Sequence, residues 1–385
     1  MEELSAVILL QRILDDAVAR SASDVHLHVV EGDLNVMFRV NGGMEPFVRV
    51  PDPAGTVVRR IKALARLDVS ETRVPQDGAF QWVTDAAQGE EGQHCDVRVA
   101  VVPTVGGETA VLRLFVRGGA APSLADLGLT AAQLAVVRGL LRSASGMILV
   151  AGSTGSGKTT TLYAMLQALA AEGRRVVSIE DPVEMHRPEW QQMEVRERLG
   201  VTFDVGVRAV LRQDPDVIMI GEIRDEATAR AALRAAMTGH LVLTTTHAHD
   251  LVGAAARLVD LGLARESLGD VLRGVVLQAL VHADCALCTG QGCDACAGTG
   301  RGNRRKAVFQ IEPMDPVFAA RLASGASWAE LRGWYDTVAD NGGTPHRPPH
   351  RAPGSPVGRA RTPGQPPDLP PASARTPQAP LGGDA

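Results

Sequence analysis

Hydrophobic residues in the N-terminal part of the chain follow first a helical and then a strand-like pattern. Apolar positions recur at three- and four-residue spacing between residues 4 and 20, which predicts an amphipathic helix. After Asp24, apolar and polar positions alternate through two runs that end at Asn41 and Gly42, a pair typical of a β-hairpin turn. Further strands are predicted at 80–83, 95–102 and 109–116, and a second helix at 56–67. These elements predict an α+β domain over residues 1–117.

A different pattern follows the stretch 118–123, whose glycines, alanines and proline have linker composition. From Leu127 onwards, helical segments alternate with short, wholly apolar strands, a pattern typical of a parallel sheet buried on both faces. The clearest strands are 147–151, 176–179, 217–220 and 241–245. We therefore predict an α/β domain over residues 118–340.

The C-terminal segment 341–385 has the composition of a disordered tail. It holds 12 of the 23 prolines and is rich in glycine and arginine. Such a segment cannot bury enough apolar surface to offset the entropy lost on ordering. We therefore predict that residues 341–385 are disordered.

Composition and charge exclude several classes of protein. Hydrophobic residues make up 45% and charged residues 22% of the 385 residues, which are ordinary globular values. The formal net charge of -5 gives no general attraction to nucleic acid or to an anionic membrane. No apolar run approaches the ~18 residues of a membrane span, and the chain does not open on a secretory signal. These features predict a cytoplasmic protein that does not bind nucleic acid directly.

One segment matches a phosphate-binding loop and has the flanking strand and helix that such a loop requires. It consists of Gly152, Ser153, Thr154, Gly155, Ser156, Gly157, Lys158 and Thr159, and Thr160 continues into the helix. The glycines let backbone N–H groups surround a β-phosphate, Lys158 would reach the β- and γ-phosphates, and the Thr159 hydroxyl would bind Mg²⁺. The alternative is a glycine-rich turn that binds no nucleotide. The apolar strand before the loop and the helix after it argue against this alternative. The sequence predicts a nucleotide site.

Acids and histidines follow or flank three other predicted strands. They are Glu180, Asp181 and Glu184 after strand 176–179, Glu222 after strand 217–220, and His240 and His247 around strand 241–245. Carboxylates beside a triphosphate are explained if they hold Mg²⁺ through waters or take a proton from attacking water. The alternative for the three acids after strand 176–179 is a charged turn, and the alternative for Glu222 is a solvated strand end. Either histidine, taken alone, could be a structural residue.

Taken in order, these segments resemble the Walker A, Asp box, Walker B and His box of the secretion ATPases, the family of type II secretion and type IV pilus assembly ATPases. The matching segments are 152–159, 179–184, 211–225 and 238–243. Segments 22–27, 75–78, 96–99 and 111–114 resemble the N-terminal ATPase-associated domain of that family. The resemblance covers about residues 4–314.

The resemblance implies a PAS-like α+β fold for the N-terminal domain and a RecA-like P-loop ATPase fold for the second domain. It also implies that the protein is a homo-hexamer and that ATP and Mg²⁺ are held between the two domains. It also implies roles for individual residues. Lys158 and Thr159 hold phosphate and Mg²⁺, Glu222 orients Mg²⁺ or its waters, Glu184 is the general base, His240 and His247 sense the γ-phosphate, and Arg98 and Arg113 complete the site. The sequence departs from the family pattern at Ala79, where an arginine is usual, and at residues 248–249.

Adenine is a better expectation than guanine for the base of the nucleotide. Ras-type GTPases read guanine through an Asn-Lys-x-Asp motif. The chain has only Lys62, Lys158 and Lys306, and none of these lysines follows an asparagine.

Four cysteines lie in the segment 285–296. Cys285, Cys288, Cys293 and Cys296 form a C-x₂-C-x₄-C-x₂-C array, and four thiolates suit structural Zn²⁺. A redox pair or unreactive thiols are the alternatives. The array resembles the tetracysteine element of assembly-type ATPases, although the link between the pairs is shorter here. Retraction-type relatives generally lack this element, so it favours an assembly function.

The sequence as a whole predicts a hexameric ATP-hydrolysing motor for assembly of a type IV pilus or a type II secretion or competence pseudopilus. The resemblance implies a position at the inner face of the cytoplasmic membrane, held there by an inner-membrane platform protein. A pilus retraction ATPase and a nucleotide-binding scaffold with little hydrolysis are the alternatives. The resemblance begins at the N-terminal ATPase-associated domain, so no extra docking module is expected before it.

Overall fold

The N-terminal part of the chain folds into an antiparallel sheet covered by two helices. The computed structural model describes residues 6–30, 32–52, 55–85, 92–116, 122–293 and 300–340. The elements of the first part are α1 (Ala6–Ala19), β1 (Asp24–Val30), β2 (Asp33–Val40), β3 (Gly43–Pro51), α2 (Thr56–Leu64), β4 (Gln76–Val83), β5 (His94–Thr104) and β6 (Gly107–Val116). The six strands lie in the order β3-β2-β1-β6-β5-β4.

Alternation along these strands builds the first core. In β5, every second residue from Cys95 to Val101 is buried, and α1 and α2 cover this face with residues such as Ile13 and Ile61. Asn41 and Gly42 both have positive φ, at 50° and 85°, as the predicted hairpin turn requires. The predicted helices and strands are confirmed, but β3 was not predicted, since Pro46 interrupts its sequence and Pro51 ends it.

The second part of the chain forms a mixed, mainly parallel sheet with helices on both faces. Its strands are β7 (Gly146–Ala151), β8 (Val176–Glu180), β9 (Gln191–Glu194), β10 (Val217–Ile220), β11 (Leu241–Thr246), β12 (Leu272–Asp284) and β13 (Arg301–Pro313). Its helices are α3 (Ala131–Leu141), α4 (Lys158–Ala171), α5 (Phe203–Val210), α6 (Glu226–Met237), α7 (Leu251–Asp260), α8 (Arg265–Val271), α9 (Pro316–Ala323) and α10 (Trp328–Asp340), with a 3₁₀ turn at Glu197–Leu199. The strand order is β13-β12-β7-β11-β10-β8-β9, and only β13 is antiparallel to its neighbour.

Strands β7, β8, β10 and β11 are buried along their whole length, because successive residues face cores on opposite sides of the sheet. In β7, Ile148 packs in the core with residues of α3 and α4, whereas Leu149 packs with residues of α6 and α7. The predicted α/β fold with a parallel sheet is therefore confirmed. The carboxyl ends of these four strands lie at one edge of the sheet, the usual place for a ligand in such folds.

The division of the chain at 117 and 118 stays a prediction, since residues 117–121 lie outside the described residues. The predicted tail 341–385 also lies outside them. Among the residues that the structure does describe, no helix is both long enough and apolar enough to pass through a bilayer.

Candidate active site

The loop between β7 and α4 places the amino end of α4 at the carboxyl edge of the sheet. Gly155 and Gly157 have positive φ of 73° and 87°, and Gly157 caps the helix that begins at Lys158. The Lys158 Nζ donates hydrogen bonds to the carbonyl oxygens of Gly152 and Ser153 at 2.9 and 3.1 Å. Burial lowers the pKa of Lys158, and the negative charge of Glu222 opposes that shift. The positive end of the helix, the ammonium and the bent glycine backbone together fit a bound phosphate group.

Gln278 on β12 supports the phosphate loop from behind, a role that no local motif indicated. Its Nε2 donates to the Ser156 carbonyl at 2.7 Å, and its Oε1 accepts from the Thr161 hydroxyl at 2.6 Å. A Cβ atom on Gly152 would lie 2.2 Å from the Gln278 carbonyl oxygen, so only glycine fits this close approach. The side chain of Gln278 is buried, and both ends of its amide are satisfied.

We expect Gln278→Leu to weaken MgADP binding about tenfold, because the phosphate loop and the first turn of α4 each lose a buried hydrogen bond to this side chain. The measurement is a nucleotide titration followed by fluorescence or calorimetry. Gln133→Leu is the matched control, since Gln133 donates to the Phe309 carbonyl at 2.9 Å and is absent from the lining of the cleft at the phosphate loop. Equal nucleotide affinity in the two variants would contradict the assigned role.

Carboxylates from β8 and β10 lie beside this loop. The Thr159 hydroxyl donates to the Glu184 Oε1 at 3.4 Å, and the Arg224 guanidinium pairs with Glu222 at 2.5 Å. Burial raises the pKa of Glu184, and the negative charge of Glu180 raises it further. A carboxyl group with a raised pKa is a stronger proton acceptor once ionised, which suits general-base catalysis.

Arginines from the N-terminal sheet face these acids. Arg98 on β5 and Arg113 on β6 are directly paired across the sheet, and their positive charges oppose the rise in the pKa of Glu184. The Arg113 Nε donates to the Asp24 Oδ1 at 3.0 Å, which holds the guanidinium at this end of β6. The structure thus brings groups from both sheets to the same place.

The cleft at the phosphate loop has a volume of about 440 Å³, within the range of roughly 300–1,000 Å³ usual for ligand pockets. It brings together most of the predicted site residues. Its lining includes Arg113, Thr154, Gly155, Gly157, Lys158, Thr159, Thr160, Glu180, Asp181, Glu184, Glu222 and His247. Arg98 borders the adjoining clefts between the two sheets, together with Ala79.

His240 does not reach this cleft. It precedes β11, and its main chain pairs with Gly146 at the amino end of β7, whereas the phosphate loop follows the carboxyl end of β7. The six residues of β11 separate the two edges by about 20 Å at ~3.3 Å per residue. The His240 Nδ1 lies 3.1 Å from the Ala235 carbonyl oxygen, a local structural contact. This position does not fit contact with a phosphate at the loop of the same chain.

Cys285, Cys288 and Cys293 lie after β12, in the connection that leads to β13. The Sγ atoms of Cys285, Cys288 and Cys293 all lie within 4.8 Å of one another, and those of Cys285 and Cys293 are 3.9 Å apart. Sulfurs bound to one tetrahedral Zn²⁺ at ~2.3 Å lie about 3.8 Å apart, so these distances fit zinc. Backbone N–H groups of Leu287 and Cys288 lower the pKa of Cys285, which favours the thiolate that zinc needs. The predicted fourth ligand, Cys296, lies outside the described residues.

Elemental analysis of the purified protein is expected to find about one zinc per chain. Cys293→Ser should lose the metal, because the remaining thiolates cannot complete the site. Cys95→Ser, which changes a buried cysteine in the N-terminal sheet, is the control and should keep it. A fully folded wild type without metal would contradict the prediction.

The chain is similar in sequence to proteins of bacterial secretion and competence systems. Residues 2–341 match the family model described as type II/IV secretion system protein. A putative type II secretion system protein E of Escherichia coli K12 is 42% identical over 281 residues, which are 73% of this chain and 56% of that protein. The type II secretion system protein HxcR of Pseudomonas aeruginosa is 42% identical over 334 residues, covering 84% and 70% of the two chains. The competence protein ComGA of Halalkalibacterium halodurans is 39% identical over 323 residues, covering 83% and 91%.

Solved structures show the same fold. The Legionella pneumophila ATPase DotB aligns with a TM-score of 0.68 at 22% identity, over 88% of this chain and 89% of that one. The pilus retraction motor PilT with bound ADP aligns with a TM-score of 0.61 at 25% identity, over 88% and 90%. The chain spans only a little over half the length of several type II relatives, such as the E. coli protein at 56%. The resemblance that the ordered motifs predicted is confirmed: the chain belongs to the family of type II/IV secretion system proteins.

Proposed function

We propose that this chain is an ATP-hydrolysing motor subunit that acts as a homo-hexamer in the assembly of a type IV pilus or a type II secretion or competence pseudopilus. One observation carries the proposal. Lys158, Thr159, Glu184 and Glu222 from the parallel sheet and Arg113 from the antiparallel sheet line a single cleft. Phosphoryl transfer depends mainly on positioning and charge stabilisation, and this set of groups supplies both.

The phosphates of ATP would lie at the amino end of α4, against the backbone N–H groups of the glycine loop. Lys158 would then exchange its contacts with the Gly152 and Ser153 carbonyl oxygens for the β- and γ-phosphates. The Thr159 hydroxyl and Glu222 are the groups that would hold Mg²⁺ and its waters. When bound, Mg²⁺ neutralises charge on the β- and γ-phosphate oxygens.

Glu184 is the residue that we assign as general base. It is partly buried beside Thr159, and its ionised carboxylate would take a proton from the water that attacks the γ-phosphorus, as the bond to the ADP oxygen breaks. Arg113 is placed to stabilise charge on the transferred phosphoryl group from the opposite wall. The two walls of the cleft come from different sheets. A change in the charge of the nucleotide bound between them would therefore change the electrostatic attraction that holds the walls together.

The machine that the motor serves is inferred from relatives. Proteins named for type II secretion and for competence match most of this chain, which supports an assembly motor. The cysteine cluster supports the same choice, since the resemblance associates it with assembly rather than retraction. The partner would be a platform protein of the inner membrane, and the motor would act at its cytoplasmic face without binding nucleic acid.

The test is ATP hydrolysis by the purified full chain, measured as phosphate release with and without Mg²⁺, together with its mass in solution by light scattering. Mg²⁺-dependent turnover and a mass of about six chains with nucleotide present support the proposal. A protein that binds MgATP but shows no turnover under these conditions would instead be the nucleotide-binding scaffold.

A further inference from the structure

The geometry points to a buried cluster whose role is to position Glu184. The cluster consists of Tyr163, Glu180 and Gln192, and we call it the Glu180 cluster. These residues come from α4, β8 and β9, three elements that meet beside the phosphate loop. The inference rests on the proposed function, because it concerns how the proposed general base is placed.

Glu180 lies at the end of β8 with 3% of its surface exposed. Its carboxylate accepts hydrogen bonds from the Tyr163 hydroxyl, from the Ser178 Oγ at 2.5 Å and from the Gln192 Nε2 at 3.1 Å. A buried carboxylate with three donors is held in one orientation, since any rotation would leave polar groups unsatisfied. Glu180 borders the cleft, but its carboxylate is directed at these three partners. We assign Glu180 a positioning role in place of the nucleotide contact that its place in the Asp box suggested.

Gln192 connects Glu180 to the backbone that directly follows Glu184. Its Nε2 also donates to the Met185 carbonyl at 3.0 Å, and its Oε1 accepts from the Arg187 N–H at 2.6 Å. These two backbone groups bracket the residues just after Glu184. One side chain therefore holds the base-bearing loop at two points and joins it to the buried carboxylate.

Tyr163 joins the same loop to the helix that carries the phosphate-binding residues. Its ring meets Trp190 edge-on, with centroids 5.5 Å apart and an interplanar angle of 86°. Trp190 closes the far end of the loop, and its Nε1 donates to the Ser178 Oγ at 3.3 Å. Tyr163 lies on α4, the helix that begins at Lys158, so the base and the phosphate loop share one rigid support.

The consequence is a fixed geometry between Glu184 and the Thr159 hydroxyl, 3.4 Å from its carboxylate. Reactions that depend on a near-attack arrangement lose about a hundredfold in rate for a ~1 Å displacement. Loosening the Glu180 cluster should therefore slow the chemical step while leaving the phosphate loop able to bind nucleotide. Tyr163, Glu180 and Gln192 touch neither substrate nor the reacting atoms in this assignment, so they are positioning residues.

The test uses Tyr163→Phe and Gln192→Met in the full chain, which remove hydrogen-bonding groups and keep side-chain size. We expect kcat to fall about tenfold in each variant, with KM for MgATP and Kd for MgADP within about twofold of wild type. Hydrogen exchange of the segment 181–190, measured by mass spectrometry, should rise about tenfold in both. This second readout reports the order of the loop independently of catalysis.

Tyr335→Phe is the matched control. The Tyr335 hydroxyl also donates to a buried glutamate, Glu312, but that carboxylate faces α7 and α10. This variant should keep wild-type kcat and wild-type exchange in the segment 181–190. An equal loss of kcat in Tyr335→Phe would show a general effect of destabilisation and would overturn the inference.

The two proposals fail in different ways. A wild type without ATP hydrolysis would refute the proposed function, and the exchange measurement alone would then decide the positioning role. If the wild type hydrolyses ATP, unchanged kcat or unchanged exchange in Tyr163→Phe and Gln192→Met overturns the inference. In that case the proposed function stands.

Discussion

We expect Lys158→Ala to lower kcat/KM for MgATP hydrolysis by at least about a thousandfold, below the detection limit of a phosphate-release assay. Lys158 is the one lysine that lines the cleft, and its ammonium group donates hydrogen bonds to two carbonyl oxygens of the glycine loop. Alanine removes the positive charge that would neutralise the β- and γ-phosphates. Both nucleotide affinity and turnover should fall, because this charge acts on the ground state and on the transition state.

The chain offers a clean control for that result. It has only three lysines, and Lys306 on β13 is exposed and outside the lining of the cleft. Lys306→Ala removes the same charge and should hydrolyse ATP at the wild-type rate. Retained turnover in Lys158→Ala would contradict the proposed mechanism.

The second large effect is expected for Glu184→Gln, which should lower kcat about a thousandfold while leaving KM and MgADP affinity close to wild type. Glutamine keeps the size of the side chain and can still accept the Thr159 hydrogen bond through its carbonyl oxygen. It cannot take a proton from water. A loss confined to kcat therefore separates a general base from a residue that only binds phosphate or Mg²⁺.

Glu189→Gln is the matched control for this prediction. Glu189 lies in the same loop, is exposed, and is absent from the lining of the cleft. Its substitution should leave both kcat and KM unchanged. If Glu184→Gln turned over at the wild-type rate, the base would have to be another group, and Glu222 would be the next residue to change.

The phosphate loop was predictable because its conformation is local. Glycines at fixed spacing permit the positive φ angles of Gly155 and Gly157, and the flanking apolar strand and helix appear in the sequence without gaps. The alternating segments of the N-terminal domain were predictable for the same reason. A period of two residues determines which face of a strand is buried, whatever its partner. Strand β3 was not predicted, because Pro46 interrupts its sequence and Pro51 ends it. Its extended conformation is stabilised by pairing with β2, which is not visible in that segment alone.

The two histidines show that residues to which a family resemblance assigns one role can be separated by the fold. His240 and His247 stand at opposite ends of β11, and opposite ends of one buried strand cannot both reach a phosphate at the loop of the same chain. The sequence contained this information, since the strand between them was predicted. His247 borders the cleft, whereas His240 bonds to the end of α6.

From its residues alone, this chain indicated an α/β fold, a phosphate loop and a secretion-ATPase family, because each depends on short-range periodicity or contiguous motifs. Long-range packing set the rest of the candidate site. Gln278 meets Thr161 across 117 positions of the chain, and Arg113 meets the Glu184 cleft only because two separate sheets lie together. The burial of Glu180 likewise depends on β9 pairing with β8. Such contacts leave no local pattern, since the residues that form them are distant along the chain and adjacent only once it has folded.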